Sequence, residues 1–362
     1  MEFKQNEEKV FEYMERQGLD AFMVSDPVNV RYVTGFSASD GAQRLLFTKG
    51  KKIFFITDLR YSEASEAECP ECETVIWRLP GKTMSDTVER LLGEQGCDNV
   101  AFEEETFSYN EYNVFSRTVK ADKVPVQGVI AEMRMVKSPE EIACQRAACQ
   151  ISCRALERLM DDIRVGMTEK ELAALLSLYM VQDGADTQPE GDILISGPKT
   201  SLLHGVPDER AIQYGDFVLM DFGCEVHGYK SDMTRTVVVG KATEEQKTVY
   251  GLVQQMMEAC NRITKAGVTG REILLESLKP LEGTPYKGYE YNNIGHGIGL
   301  FVHEQPFDSI TDELPFPVNN VRTIEPGLYI PGWGGVRIED TIRITEDGFE
   351  NFIDFTHDLI EL

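Results

Sequence analysis

Four carboxylates and one imidazole in the C-terminal half of this 362-residue chain stand where a charged group is costly unless something compensates it. Asp221 follows the apolar run Val218-Leu219-Met220, and Asp232 precedes the largely β-branched run 234–239. His296 lies between glycines in Gly295-His296-Gly297-Ile298-Gly299, Glu325 in Ile324-Glu325-Pro326-Gly327, and Glu339 in Val336-Arg337-Ile338-Glu339-Asp340. A carboxylate drawn out of water beside such neighbours costs roughly several kcal/mol if left unpaired. Four carboxylates with a neutral imidazole carry −4, which two divalent cations would balance at +4. Hard ions of the manganese or cobalt kind accept this oxygen-rich set with one imidazole. One Asp, one His and two Glu could hold a single ion, but the fourth carboxylate would then be surplus. With two ions about 3.5–4 Å apart, bridging carboxylates have a role. Any one of these acids alone could be a cap, a turn former or a surface charge. All five in glycine- or proline-bounded strand contexts point to a dinuclear hydrolytic centre.

A faint internal echo predicts how they are positioned. Residues 217–239 run as apolar strand, Asp221, glycine turn, Asp232 and a second strand; residues 323–345 repeat the order with Glu325 and Glu339. Each segment reads as a hairpin with an acid on both strands, and two facing hairpins would deliver four carboxylates to one point.

Capping signals place the helices. Ser138-Pro139-Glu140-Glu141 has an N-cap serine, a proline at the first helical position and a glutamate three residues on. Thr168 with Glu171 and Thr243 with Gln246 repeat the box, and Val249, Leu252, Val253, Met256, Cys260 and Ile263 keep a core-facing helical spacing. Upstream, residues 5–17 predict an amphipathic helix stopped by Gly18, and residues 44–47 and 52–57 a hairpin. Alternating strand and helix signals run to about Ile130. The expected organisation is therefore an α/β (α+β) chain with an N-terminal α/β domain over 1–130 and a second domain over 131–362.

Bulk composition narrows the function. A net charge of −25, from 36 basic and 61 acidic residues, disfavours nucleic acid and anionic membrane as partners. No stretch approaches about 18 consecutive apolar residues, and residues 1–8 hold no signal-peptide core. The eight scattered cysteines read as reduced thiols, so a cytoplasmic location is expected. Cys69-Pro70-Glu71-Cys72 has redox spacing but no second pair to make a zinc ribbon. Cys149 and Cys153 are expected to pack in a core.

The motifs His204-Gly205-Val206-Pro207, Asp221-Phe222-Gly223, Ser231-Asp232-Met233-Thr234-Arg235-Thr236, Gly295-His296-Gly297-Ile298-Gly299, Val302-His303-Glu304, Thr323-Ile324-Glu325-Pro326-Gly327 and Arg337-Ile338-Glu339-Asp340 resemble the prolidase, aminopeptidase P and creatinase family of pita-bread metallopeptidases. Arg31-Tyr32-Val33-Thr34-Gly35-Phe36 and Thr57-Asp58-Leu59-Arg60-Tyr61 are similar to that family's N-terminal creatinase-like domain. The resemblance implies a dinuclear Xaa-Pro peptidase and a homodimer, with manganese first and cobalt or zinc as alternatives. It implies that Asp221 chelates one metal, that His296 and Glu325 hold the other, and that Asp232 and Glu339 bridge. A metal-bridging hydroxide would attack the peptide carbonyl, and Glu325 would shuttle the proton to the leaving nitrogen. His303 would support the oxyanion and His204 line the pocket for the leaving residue. Arg337 is assigned to substrate binding or, with Thr234, to orienting the carboxylates. His227 and His357 belong to no motif. Proline at the second position is implied by the resemblance alone.

One departure bears on substrate. A dipeptide-selective site needs a cation for the free C-terminal carboxylate, and Arg322 and Arg337 are the only arginines between residues 300 and 340. This weakens a strict dipeptidase and favours longer Xaa-Pro peptides or an unusual substrate. Two other readings are a small-molecule amide or amidino hydrolase on the same scaffold and an inactive peptide-binding relative.

Overall fold

Helix starts are set by local chemistry. In the computed structural model, which describes residues 3–37, 42–186 and 192–362, Ser138, Thr168 and Thr243 each cap a helix and close a reciprocal box with Glu141, Glu171 and Gln246. These boxes open Pro139–Met160, Glu169–Gln182 and Glu244–Ile263. Each satisfies backbone N–H groups that the first helical turn leaves without partners. The chain divides into two compact units, Met1–Arg134 and Met135–Leu362.

In the first unit, strands β1 Ala21–Val24, β2 Arg44–Thr48, β3 Ile53–Thr57, β4 Glu73–Ile76, β5 Asn99–Glu103 and β6 Asp122–Val126 form one mixed sheet in the order β4-β3-β2-β1-β5-β6. The β2–β3 hairpin turns through Lys51 at a φ of 60°. Helix Lys4–Gln17 buries Val10 and Met14 and ends where Gly18, in the left-handed region, returns its N–H to the last carbonyls.

The second unit carries β7 Ile193–Ser196, β8 Phe217–Phe222, β9 Glu225–Val226, β10 Tyr229–Lys230, β11 Met233–Val238, β12 Asn293–Gly297, β13 Glu304–Ser309, β14 Val321–Ile324, β15 Gly327–Ile330, β16 Gly334–Arg337, β17 Asp340–Ile344 and β18 Phe349–Asn351. They make a three-stranded sheet β11-β8-β7 and a five-stranded sheet β13-β12-β14-β17-β18, with β9–β10 and β15–β16 as small separate pairs. A bridge between Thr234 and Glu339 joins the two larger sheets. Helices Pro139–Met160 and Glu169–Gln182 share one apolar core with β8 and β11; Glu244–Ile263 and Gly270–Ser277 share another with β14 and β17. Val249, Leu252, Val253, Met256 and Cys260 are all buried in the latter, and Cys149 and Cys153 in the former.

The echo between 217–239 and 323–345 takes a different form from two plain hairpins. In each, an outer strand pair (β8 with β11, β14 with β17) encloses a small inner pair (β9 with β10, β15 with β16). Only Asp221 lies within an outer strand. Asp232, Glu325 and Glu339 lie one residue beyond strand ends, where the chain departs from the ladder. A strand end frees the backbone to turn, so three of the four acids are aimed by local chain direction as well as by pleat.

Candidate metal centre

Asp221 faces Thr234 across the β8–β11 ladder, so both side chains emerge on one face of the sheet. Thr234 in turn bridges to Glu339 and its hydroxyl donates to Glu339 Oε2 at 2.6 Å. Three threonines therefore act as connectors. The Thr341 hydroxyl donates to the Asp232 carbonyl at 2.6 Å, Thr341 pairs with Thr323 across β14–β17, and Thr323 Oγ1 accepts the His296 N–H at 3.2 Å.

These links converge. Ligand atoms of Asp232, His296 and Glu339 all lie within 4.8 Å of one another. His296 Nε2 is 3.8 Å from Asp232 Oδ2 and 3.6 Å from Glu325 Oε1. His296 Nδ1 lies 3.0 Å from the Gly297 carbonyl, a contact that holds the proton on Nδ1 and leaves Nε2 free to ligate. Asp221 sits beside Asp232 at hydrogen-bonding range.

The electrostatics are those of a cluster lacking positive charge. Burial is the main force raising Asp232 and Glu339 well above ordinary carboxyl values, and the neighbouring carboxylates push in the same direction. Burial also raises Glu325 to about 8; Arg337 opposes this and Asp221 adds to it. Burial, reinforced by the adjacent His303 imidazole, lowers His296 to about 3, so its imidazole is neutral at physiological pH. Several buried carboxylates that resist ionisation, converging with a neutral imidazole, are what a divalent cation would relieve. The donor set fits hard divalent metals.

Arg337 alters the charge count. Its guanidinium is 3% exposed and is bonded to Asp221, to Thr234 Oγ1 at 3.0 Å and to the Tyr329 hydroxyl at 2.9 Å. Arg337 is thus engaged by Asp221, Thr234 and Tyr329, an arrangement that fits the orienting role expected of it beside substrate binding. With Arg337 counted, the cluster carries −3, and two divalent cations would leave it one unit positive, favouring an anionic group at its centre.

The remaining histidines divide cleanly. His303 stacks edge-on to His296 with ring centroids 4.4 Å apart. Burial lowers its pKa and the neighbouring His204 adds to the effect, which places His204 close by on an exposed loop. His357 is satisfied by Asp340 Oδ2 at 2.8 Å, and His227 occupies a turn at a φ of 50°. No motif in the sequence marks Tyr329 or Thr341 as part of the site. Tyr329 falls two residues after the Pro-Gly turn that follows Glu325, but nothing local shows that its hydroxyl meets Arg337. All eight cysteines are free thiols, and among the described residues no helix is long and apolar enough to cross a membrane.

Residues 143–346 match metallopeptidase family M24, and residues 8–136 match the creatinase/prolidase N-terminal domain. An Xaa-Pro dipeptidase of Pyrococcus horikoshii is 32% identical, covering 97% of each chain. Among solved structures, the Xaa-Pro dipeptidase from Bacillus anthracis superposes with a TM-score of 0.93 at 33% identity, over 99% of this chain and 100% of that one. The X-Pro aminopeptidase from Thermotoga maritima gives 0.87 at 31% identity, over 97% and 100%. With its convergent carboxylates and imidazole and its mixed-sheet first unit, the chain belongs to metallopeptidase family M24 and carries the creatinase/prolidase N-terminal domain.

Proposed function

We propose that the protein is an Xaa-Pro exopeptidase that releases the N-terminal residue from peptides with proline second, using two divalent cations, manganese first among them. The observation that carries this reading is the convergence of Asp232, His296 and Glu339 on one point, with Glu325 and Asp221 flanking it. Asp221, Asp232, His296, Glu325 and Glu339 would hold the metals, which would polarise the scissile carbonyl and acidify water.

The chain's own groups do the rest. Glu325, about a fifth exposed, would accept a proton from the attacking water and pass it to the leaving proline nitrogen, base first and acid second. His303, neutral because its pKa is lowered, donates an N–H to the oxyanion as the carbonyl carbon becomes tetrahedral. His204, flanked by exposed Leu202 and Val206, lines the apolar surface against which a proline ring would rest. A proline nitrogen has no N–H to offer, so recognition falls to shape and apolar contact.

Substrates extending beyond the proline are favoured over dipeptides. Arg337 is committed to Asp221, Thr234 and Tyr329, and Arg322 is fully buried against Asp308. Neither can meet a free C-terminal carboxylate. A homodimer in the cytoplasm completes the proposal. The test is release of Xaa from Xaa-Pro and Xaa-Pro-Yaa peptides by manganese-reconstituted protein, with chelated protein and a small-amide panel alongside. Chelator-sensitive cleavage of the peptides supports the reading, and turnover confined to the small amides overturns it.

A further inference from the structure

The strand that carries His296 is poorly held by its own ladder. Pairing of β12 with β13 shifts register twice, between Asn293 and His296 and again between His296 and Gly297. Toward β14 it has one register pair, Gly297 with Arg322, and the His296 N–H donates to a side chain, Thr323 Oγ1. Two backbone bonds at its ends, Glu325 N–H to the Ile294 carbonyl at 2.8 Å and Ile298 N–H to the Val321 carbonyl at 3.0 Å, add to the attachment. A metal ligand needs tighter placement than this, because a shift of a fraction of an ångström changes coordination.

A buried ion pair crosses this strand. β12 lies between β13 and β14, and Asp308 on β13 is bonded to Arg322 on β14, both side chains 0% exposed. The crossing passes the glycine beside His296. A Cβ on Gly295 would lie 2.5 Å from Asp308 Oδ2 and 2.5 Å from the Thr323 carbonyl. The absence of a side chain at 295 is what lets the pair close over the strand. Arg322 also lies over the Phe316 ring, its guanidinium carbon 3.7 Å from the centroid, which fixes its plane. Asp308 Oδ2 and Arg322 Nε and Nη1 have no hydrogen-bond partner among the described residues. A buried pair so incompletely satisfied is a poor stabiliser, since desolvating two ions offsets most of their attraction. Its place across the His296 strand points to another role.

We propose that Asp308 and Arg322 form a positioning clamp for the metal centre: by tying β13 to β14 across the His296 strand, they fix His296 relative to Glu325. This rests on the five residues holding metal, not on which bond is cleaved, so failure of the peptidase reading would leave the clamp standing. The test uses the full chain with the double substitution Asp308→Leu/Arg322→Met, which removes both charges while keeping apolar volume, and the milder Asp308→Asn. Three quantities are read: the melting temperature of chelated protein, Mn2+ affinity by calorimetry, and the visible spectrum of the Co2+ form. The double variant is expected to melt at or above the parent when metal-free. It should bind Mn2+ about 10-fold more weakly or worse, with an altered Co2+ spectrum, and its kcat should fall while KM holds. Asp308→Asn should show a smaller loss of the same kind. A folded double variant with parental Mn2+ affinity and Co2+ spectrum overturns the proposal. If the double variant does not fold, parental Mn2+ affinity in Asp308→Asn overturns it instead. Should neither fold, the pair is a folding element and the positioning role falls.

Discussion

The Thr234 hydroxyl donates to Glu339 Oε2 at 2.6 Å while accepting from Arg337 Nε at 3.0 Å. One oxygen thus links the guanidinium that orients Asp221 to a carboxylate of the other half of the site. Thr234 is 0% exposed, so its partners have no water to turn to when the hydroxyl is lost. Thr234→Val should keep the fold and lower metal affinity about 10-fold or more, while Thr234→Ser, which keeps the hydroxyl, should restore most of it. Metal titration of the three proteins decides; equal affinities would remove Thr234 from the site.

Metal and pH are coupled with a definite sign. Glu325 is raised from 4.5 to about 8 in the folded chain, so its contribution to stability is full below 4.5 and is lost as pH rises through about 8. His296, lowered from 6.5 to about 3, contributes fully above 6.5 and loses that contribution as pH falls toward 3. Between pH 6.5 and about 8 the raised carboxyls change, Glu325 together with Asp232 and Glu339, and all act in the same direction, so metal-free protein should melt at progressively lower temperature across that window. Saturating Mn2+ should flatten the slope, and calorimetry in buffers of different ionisation enthalpy should show protons released on binding at pH 7. A rising or flat metal-free profile there would refute the assignment of Glu325.

Local signals carried much of this. Capping boxes at Ser138, Thr168 and Thr243 concern residues three apart, and each forms where its sequence predicts. The helical stripe from Val249 to Cys260 is buried for the same reason: period and burial are one fact. Spacing showed that the two acid-bearing segments are alike. It could not show that each encloses an inner pair, since β9–β10 is only two residues per strand. Arg337 read equally well as a substrate ligand because its partners, Asp221 and Thr234, are more than a hundred residues away. Arg322 stood out only as a possible reader of a substrate carboxylate, and nothing linked it to Asp308. An acid and a base fourteen residues apart look like surface charges until the sheet order puts the His296 strand between them.

His303 and His204 should separate in kinetics. His303→Ala should cut kcat by about 10²–10³, with metal content unchanged, since the ring lies against His296 without belonging to the converging set. His204→Ala should act mainly on KM, from its exposed position on the loop. Steady-state kinetics with parallel metal analysis separates the two; loss of metal in His303→Ala would make it a ligand instead.

Substrate length follows from the committed arginines. With Arg322 and Arg337 both consumed inside the protein, kcat/KM for Xaa-Pro-Yaa should exceed that for Xaa-Pro by about 10-fold or more, the value of one missing charge-assisted contact. A dipeptide preference would mean that some other cation reads the carboxylate.

Metal content of the reconstituted, dialysed chain bears most directly on whether these carboxylates exist to hold a cation pair. Two Mn2+ per chain are expected for the parent. Glu339→Gln, which removes a charge at the point where Asp232 and His296 meet, should retain fewer than one. A parent that keeps no metal, or a Glu339→Gln protein that keeps two, would contradict the dinuclear centre.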